Sequence, residues 1–92
     1  MRMMLVLDWS RSTLGEIGSK FLSGEDVDPP QGVTMLARWH DLTSKMAWVV
    51  CETNDAAKIQ SWSAAWSDYA DWETHTILDD EEAGQVISGL IK

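Results

Sequence analysis

Two spacings of apolar residues alternate along this chain, and their order predicts its elements. Residues 2–9, Arg-Met-Met-Leu-Val-Leu-Asp-Trp, form a short run that is continuously apolar in its middle, as a central strand covered on both faces would be. This is β1. Ser10 to Thr13 then offer N-cap side chains, and Thr13 and Glu16 have the spacing of a capping box. Leu14, Ile17 and Phe21 follow at helical spacing, which predicts a helix, α1. Gly15 and Gly18 lie inside it. Each costs about 1 kcal/mol relative to alanine, so either the helix is marginal or its backbone approaches a neighbour closely. Residues 23–32, with Gly24, Pro29 and Pro30, cannot continue a helix and read as a surface loop.

Residues 33–41 and 45–53 are rich in β-branched, aromatic and apolar side chains and flank a short stretch around Leu42-Thr43-Ser44, the pattern of a β2–β3 hairpin. Thr53-Asn54-Asp55 offers another N-cap. In residues 56–69, Ile59, Trp62, Trp66 and Tyr69 fall three or four apart and form one stripe of a helix, α2. Residues 71–78 alternate into a strand, β4. Asp79-Asp80-Glu81-Glu82 then opens a last helix, α3, carrying Ala83, Val86, Ile87, Leu90 and Ile91, with its carboxylates at the positive end of the helix dipole. The order β-α-β-β-α-β with an added C-terminal helix predicts an α+β, ferredoxin-like domain over residues 1–92, an antiparallel four-stranded sheet with α1 and α2 on one face.

That arrangement leaves the second sheet face bare, yet the strands carry apolar or aromatic residues at both parities, Trp39 and Trp48 beside Met35, Leu36, Val49 and Val50. A second copy of the chain would cover it most simply, so a homodimer is expected. Composition narrows the partners further. Fifteen acidic residues against seven basic ones leave a formal charge of −8, and the basic residues are scattered singly. Neither nucleic acid nor an anionic membrane suits such a surface. The apolar run from Met3 to Leu7 ends at Asp8, well short of a signal-peptide core or a membrane span. A single cysteine, Cys51, forms no internal disulfide and no cysteine-based zinc site, which fits a reducing, cytoplasmic setting. Six tryptophans against one Phe and one Tyr supply bulk, and each buried indole N–H needs an acceptor.

Gly32-Val33 opening β2, Trp39 near its end, Glu52 before Thr53-Asn54-Asp55, and Trp62-x-x-x-Trp66-x-Asp68-x-x-Asp71 running into Ile77-Leu78 resemble a bacterial family of small proteins known only as a domain of unknown function. The resemblance covers roughly residues 3–83, most closely 32–78, and departs in residues 24–30 and at Val49. It implies a dimeric α/β barrel, in which two ferredoxin-like sheets face each other across a cavity. The wider superfamily includes cofactor-independent monooxygenases, lactone isomerases, haem-degrading enzymes and proteins with no known reaction, so fold membership says little about function.

No phosphate or dinucleotide signature is present. Gly18-Ser19-Lys20 reverses the Lys-Ser order of a P-loop and lacks the upstream glycine. Asp26-x-Asp28 runs into prolines, which fits a surface loop better than a calcium turn. Asp68 and Asp71 flank the turn into β4, where a carboxylate more often caps a turn than binds a metal. No metal and no cofactor is expected, and the catalytic residues remain unassigned. His40 and His75 exchange protons near neutral pH. Each is either a surface or interface side chain or a cavity residue. Glu52, ending an apolar strand, either has its pKa raised by desolvation for acid–base work or accepts backbone hydrogen bonds or pairs with Arg38. Cys51 reads as a small buried hydrophobe. Trp62 and Trp66 belong to the core, whereas Trp9, Trp39, Trp48 and Trp72 lie on strands and either line a cavity or fill it. The candidate ligand-binding set is Arg38, Trp39, His40, Trp48, Glu52 and His75. It suits a small apolar or aromatic molecule in a cavity on the sheet face away from the helices. The alternative is a cofactor-free monooxygenase- or isomerase-type enzyme with Glu52 or a histidine moving a proton. Beneath both lies a structural dimer without ligand.

Overall fold

The computed structural model describes residues 1–91. β1 (Arg2–Trp9) pairs antiparallel with β3 (Met46–Glu52) on one side and with β4 (Ala70–Thr76) on the other, while β2 (Thr34–Asp41) lies outside β3, giving the order β2-β3-β1-β4. This is the ferredoxin-like sheet that the sequence predicts. The strand ends differ from the expected ones by one or two residues. Register sorts the two faces. Met3 and Leu5 of β1 and Val49 and Cys51 of β3 are buried and pack with Ile17, Ile59, Trp62 and Trp66, so this parity, which includes buried Ala47, faces α1 (Leu14–Ser23) and α2 (Ala56–Ala64). The other parity stays half-buried or exposed. There Ala37, Val50 and Met4 share one cross-strand row and Trp39, Trp48 and Val6 the next, ending on β4 with His75 and Glu73. A further row, Asp41, Met46, Asp8 and Asp71, bounds this apolar patch at one end.

The helices depart from expectation at their ends. The capping box at Thr13 does not form, because a 3-10 turn over Arg11–Thr13 precedes α1 and the Thr13 hydroxyl lies 3.1 Å from the Ser10 carbonyl and 3.0 Å from that of Tyr69. The cap thus ties α1 to the chain entering β4. Gly24, at φ 81°, ends the helix in the left-handed conformation that glycine adopts without strain. α2 stops at Ala64, five residues before its apolar stripe does. Trp66, Ser67 and Tyr69 instead donate to carbonyls three residues back, a tighter winding that still keeps Trp66 in the core.

Residues 23–32 form the expected surface loop, none of them buried, and it is pinned to the helices. The indole N–H groups of Trp62 and Trp66 both donate to the Asp26 carbonyl, at 2.8 and 3.0 Å. Lys20 of α1 reaches the Asp26 carboxylate at 3.4 Å and donates to the Ala65 carbonyl, and its ammonium lies 5.0 Å from the Trp66 ring centre. Loop, α1 and the end of α2 are thereby joined. At the other end of the sheet, the buried Thr53 hydroxyl donates to the Gly32 carbonyl at 3.0 Å, fixing the entry to β2 against the exit of β3.

α3 (Asp80–Leu90) carries the capping box that α1 lacks: the Asp79 carboxylate accepts from the Glu82 amide at 2.8 Å and the Glu82 carboxylate from the Asp79 amide at 3.1 Å. Arg2 holds its start through Asp79 and Glu82. The helix itself buries none of its residues, and Leu90 and Ile91 are nearly four-fifths exposed. The chain is correspondingly elongated, 52 Å in its longest dimension with a Cα radius of gyration of 15.2 Å. A compact chain of this length has about 12 Å.

Neither helical glycine of α1 approaches a neighbour: a Cβ at Gly15 or Gly18 meets nothing within 4 Å. Gly15→Ala and Gly18→Ala should therefore each stabilise the fold, by about 0.5–1 kcal/mol of helix propensity. Chemical denaturation of each variant checks this, and a loss of stability would mean that the backbone sits closer to the sheet.

Candidate functional site

The gap beneath Gly18 belongs to a cavity of about 450 Å³ between α1 and the sheet. Leu14, Ile17, Gly18, Phe21 and Leu22 form its α1 wall, and Leu7, Trp9, Val49 and Trp72 its floor. Trp62 of α2, Trp66 just past its end and Val27 of the pinned loop close it, with Leu42 of the hairpin at its rim. Leu14, Phe21, Leu22 and Leu42 are exposed large apolar side chains. This size is in the range of small-molecule pockets.

The site residues expected from sequence fall in two places. Arg38 and His40 line the cavity, two residues apart on the helix-facing side of β2. Both touch Phe21: the Arg38 guanidinium carbon lies 5.4 Å from its ring centre, and the His40 ring meets it edge-on at 5.2 Å. Arg38 also donates to the Val27 carbonyl at 2.9 Å. Burial, and secondarily the Arg38 charge, hold the His40 imidazole below its ordinary pKa of 6.5, so it is neutral at pH 7.

Trp39, Trp48 and His75 lie on the opposite face. Trp39 and Trp48 are cross-strand partners, and Trp39 is 60% exposed. His75 lies on β4 near Glu73 at 3.5 Å. Glu52 is half exposed at the end of the inner strand β3 and pairs with Arg2 at 3.8 Å, not with Arg38. Arg2 and Glu52 are register partners at the ends of neighbouring strands, a pairing implicit in the β1–β3 hydrogen bonding. The apolar cavity thus sits under the helices, where Arg38 and His40 alone of the candidate set meet it. Cys51 is fully buried between Met3 and Met35, and desolvation raises its thiol pKa. Reactivity is correspondingly suppressed.

Sequence reasoning missed the α1 wall, Val27 and Leu42 as cavity residues. The signals were present: Leu14, Ile17 and Phe21 share one helical face, and Leu42 is an apolar residue in an otherwise polar turn. Trp9 and Trp72 add a further feature, since their indole N–H groups are buried without a hydrogen-bond partner among the described residues. Trp72 packs edge-on against Trp62 at 5.3 Å. Among the described residues no group of three or more His, Cys, Asp or Glu is placed to hold a metal ion, and no helix is long and apolar enough to cross a membrane.

Fold and cavity together define a small ferredoxin-like α+β protein with an apolar chamber between its first helix and its sheet. The chain belongs to the family described as "Domain of unknown function (DUF3303)", whose model matches residues 1–91. No curated protein and no solved structure was found to match the chain.

His40 provides a direct check of the cavity wall. Because folding favours its neutral form, this residue's contribution to stability is fully present above pH 6.5 and is lost as pH falls through its lower folded-state value. An NMR titration should place its midpoint below 6.5. In Arg38→Gln the midpoint should rise only part of the way back, because burial is the larger cause. A midpoint at or above 6.5 in the native protein would contradict this environment.

Proposed function

We propose that the protein is a cytoplasmic homodimer of the dimeric α/β-barrel kind, each protomer binding a small apolar or aromatic molecule between α1 and the sheet. The observation that carries the binding reading is the cavity itself. Its walls are aromatic and aliphatic, drawn from every layer of the domain, and two polar side chains, Arg38 and His40, stand at one side. Pockets of that composition fix an apolar body by burial and its orientation by a few polar groups.

The dimer rests on the surfaces this chain leaves uncovered. Four strands at about 4.8 Å spacing and about 3.3 Å per residue present roughly 400 Å² in projection. A flat face of that extent, apolar at Met4, Val6, Ala37, Trp39, Trp48 and Val50, is matched by an equal face from a second copy. The unpacked stripe of α3, Val86, Ile87, Leu90 and Ile91, adds apolar area of the kind a stable interface needs. The catalytic alternative, a cofactor-free monooxygenase or isomerase, is favoured by one feature: a neutral imidazole at the cavity, His40, able to accept a proton. Glu52, outside the cavity, drops from that role.

Two measurements test the proposal. Sedimentation at micromolar concentration should give a dimer, and Trp39→Glu should shift it to monomer without loss of secondary structure; a native monomer would overturn the assembly. Titration with ten-carbon chains should move the indole N–H signals of Trp9 and Trp72 saturably in the native protein. Gly18→Phe, which fills the chamber from α1, should abolish the response. Equal response in that variant, or none in the native protein, would overturn binding at this cavity.

A further inference from the structure

The chamber's charge is opposite to that of the chain around it. The protein carries a formal −8, yet no aspartate or glutamate is among the residues lining the cavity, and Arg38 is the one formally charged side chain there. Two other cations find acids, Arg2 with Glu52, Asp79 and Glu82 and Lys20 with Asp26, while Arg11, Lys45 and Lys58, none of them at the cavity, form no ion pair with a described residue. Arg38 forms no ion pair with any described residue, although it is part-buried.

Its position is fixed all the same. One guanidinium nitrogen, Nη1, donates to the Val27 carbonyl at 2.9 Å, and the guanidinium lies against Phe21. Both of those neighbours are cavity residues. A guanidinium has five N–H donors in a rigid fork that matches a carboxylate edge. The donors not used on Val27 have no partner among the described residues. A ligand that brings a carboxylate to those free donors makes charge-assisted hydrogen bonds with them. A single cation in so acidic a chain suits a monoanion; a phosphate dianion would need a second positive charge. The rest of the chamber offers hydrocarbon and aromatic surface to an uncharged body. At about 30 Å³ per non-hydrogen atom, 450 Å³ holds on the order of fifteen.

We infer that the cavity selects apolar carboxylic acids, with the carboxylate on the Arg38 fork and the body lying along α1 between Phe21 and the pair Trp62 and Trp66. This rests on the small-molecule reading above and names its ligand class.

Three ten-carbon probes that differ at the head group test it: decanoate, decan-1-ol and decylamine, each below its micelle concentration. Affinity is read by calorimetry and by the fluorescence of the cavity tryptophans. Decanoate should bind about ten- to a hundredfold more tightly than decanol, the range one charge-assisted hydrogen-bonded pair supplies, and decylamine most weakly. Arg38→Gln should bring decanoate to the level of decanol measured in the same variant. Arg38→Lys, which keeps the charge but loses the fork, should retain part of the preference. Equal affinity of decanoate and decanol for the native protein would overturn the carboxylate inference while leaving a binding cavity in place. Failure of all three to bind would overturn the binding reading beneath it. The native-protein comparison requires no variant to fold.

Discussion

Two indole N–H groups meeting on one backbone carbonyl hold the helical layer of this protein together. Trp62 and Trp66 lie four residues apart, the first in α2 and the second just past its end, and both donate to Asp26. That carbonyl sits in a loop whose Asp26 adopts a left-handed conformation, φ 58°, which aspartate tolerates better than most residues. Two buried donors that would otherwise be orphaned are satisfied together, and each orphan would cost about 1–3 kcal/mol. The same loop takes Lys20 from α1 on its Asp26 carboxylate and Arg38 from β2 on its Val27 carbonyl. Three elements therefore converge on two consecutive residues.

The cavity follows from that arrangement. With the loop tied to α2 and α1 tied to the loop, the position of α1 is set at its C-terminal end by polar contacts. Gly18 contributes no side chain beneath it, so the space between the helix and Trp9, Val49 and Trp72 is left open. A chain this short closes one face of its sheet incompletely and the other not at all. Both openings are apolar, but they differ in kind. The helix-side chamber is concave and bears a cation, whereas the open sheet face is broad, bounded by aspartates at one end and continuous in its apolar rows.

Much of the fold was legible because period and punctuation agree. The continuous run of β1, the hairpin around Leu42-Thr43-Ser44 and the spacing of Ile59, Trp62 and Trp66 each point to one element, and their order points to one topology. The face assignments were not legible, since β1 and β3 are apolar at both parities and only the register shows that Leu5 and Val49 face the helices while Val6 and Trp48 do not. Consequently Arg38 and His40 separate from Trp39, their neighbour between them, by the simple alternation of a strand. The pinning of the loop was hidden for another reason. Its acceptor is a main-chain carbonyl, which carries no residue-type signature; the sequence shows that the two indoles need a partner and nothing about where it lies.

The most direct test of this account is hydrogen exchange at the six indole N–H groups, resolved by NMR in the native protein. Trp62 and Trp66, donating to the Asp26 carbonyl in the core, should exchange only on global unfolding. Fast exchange at Trp62 and Trp66, at a rate approaching that of an unprotected indole, would contradict the clasp and with it the chamber that it holds open.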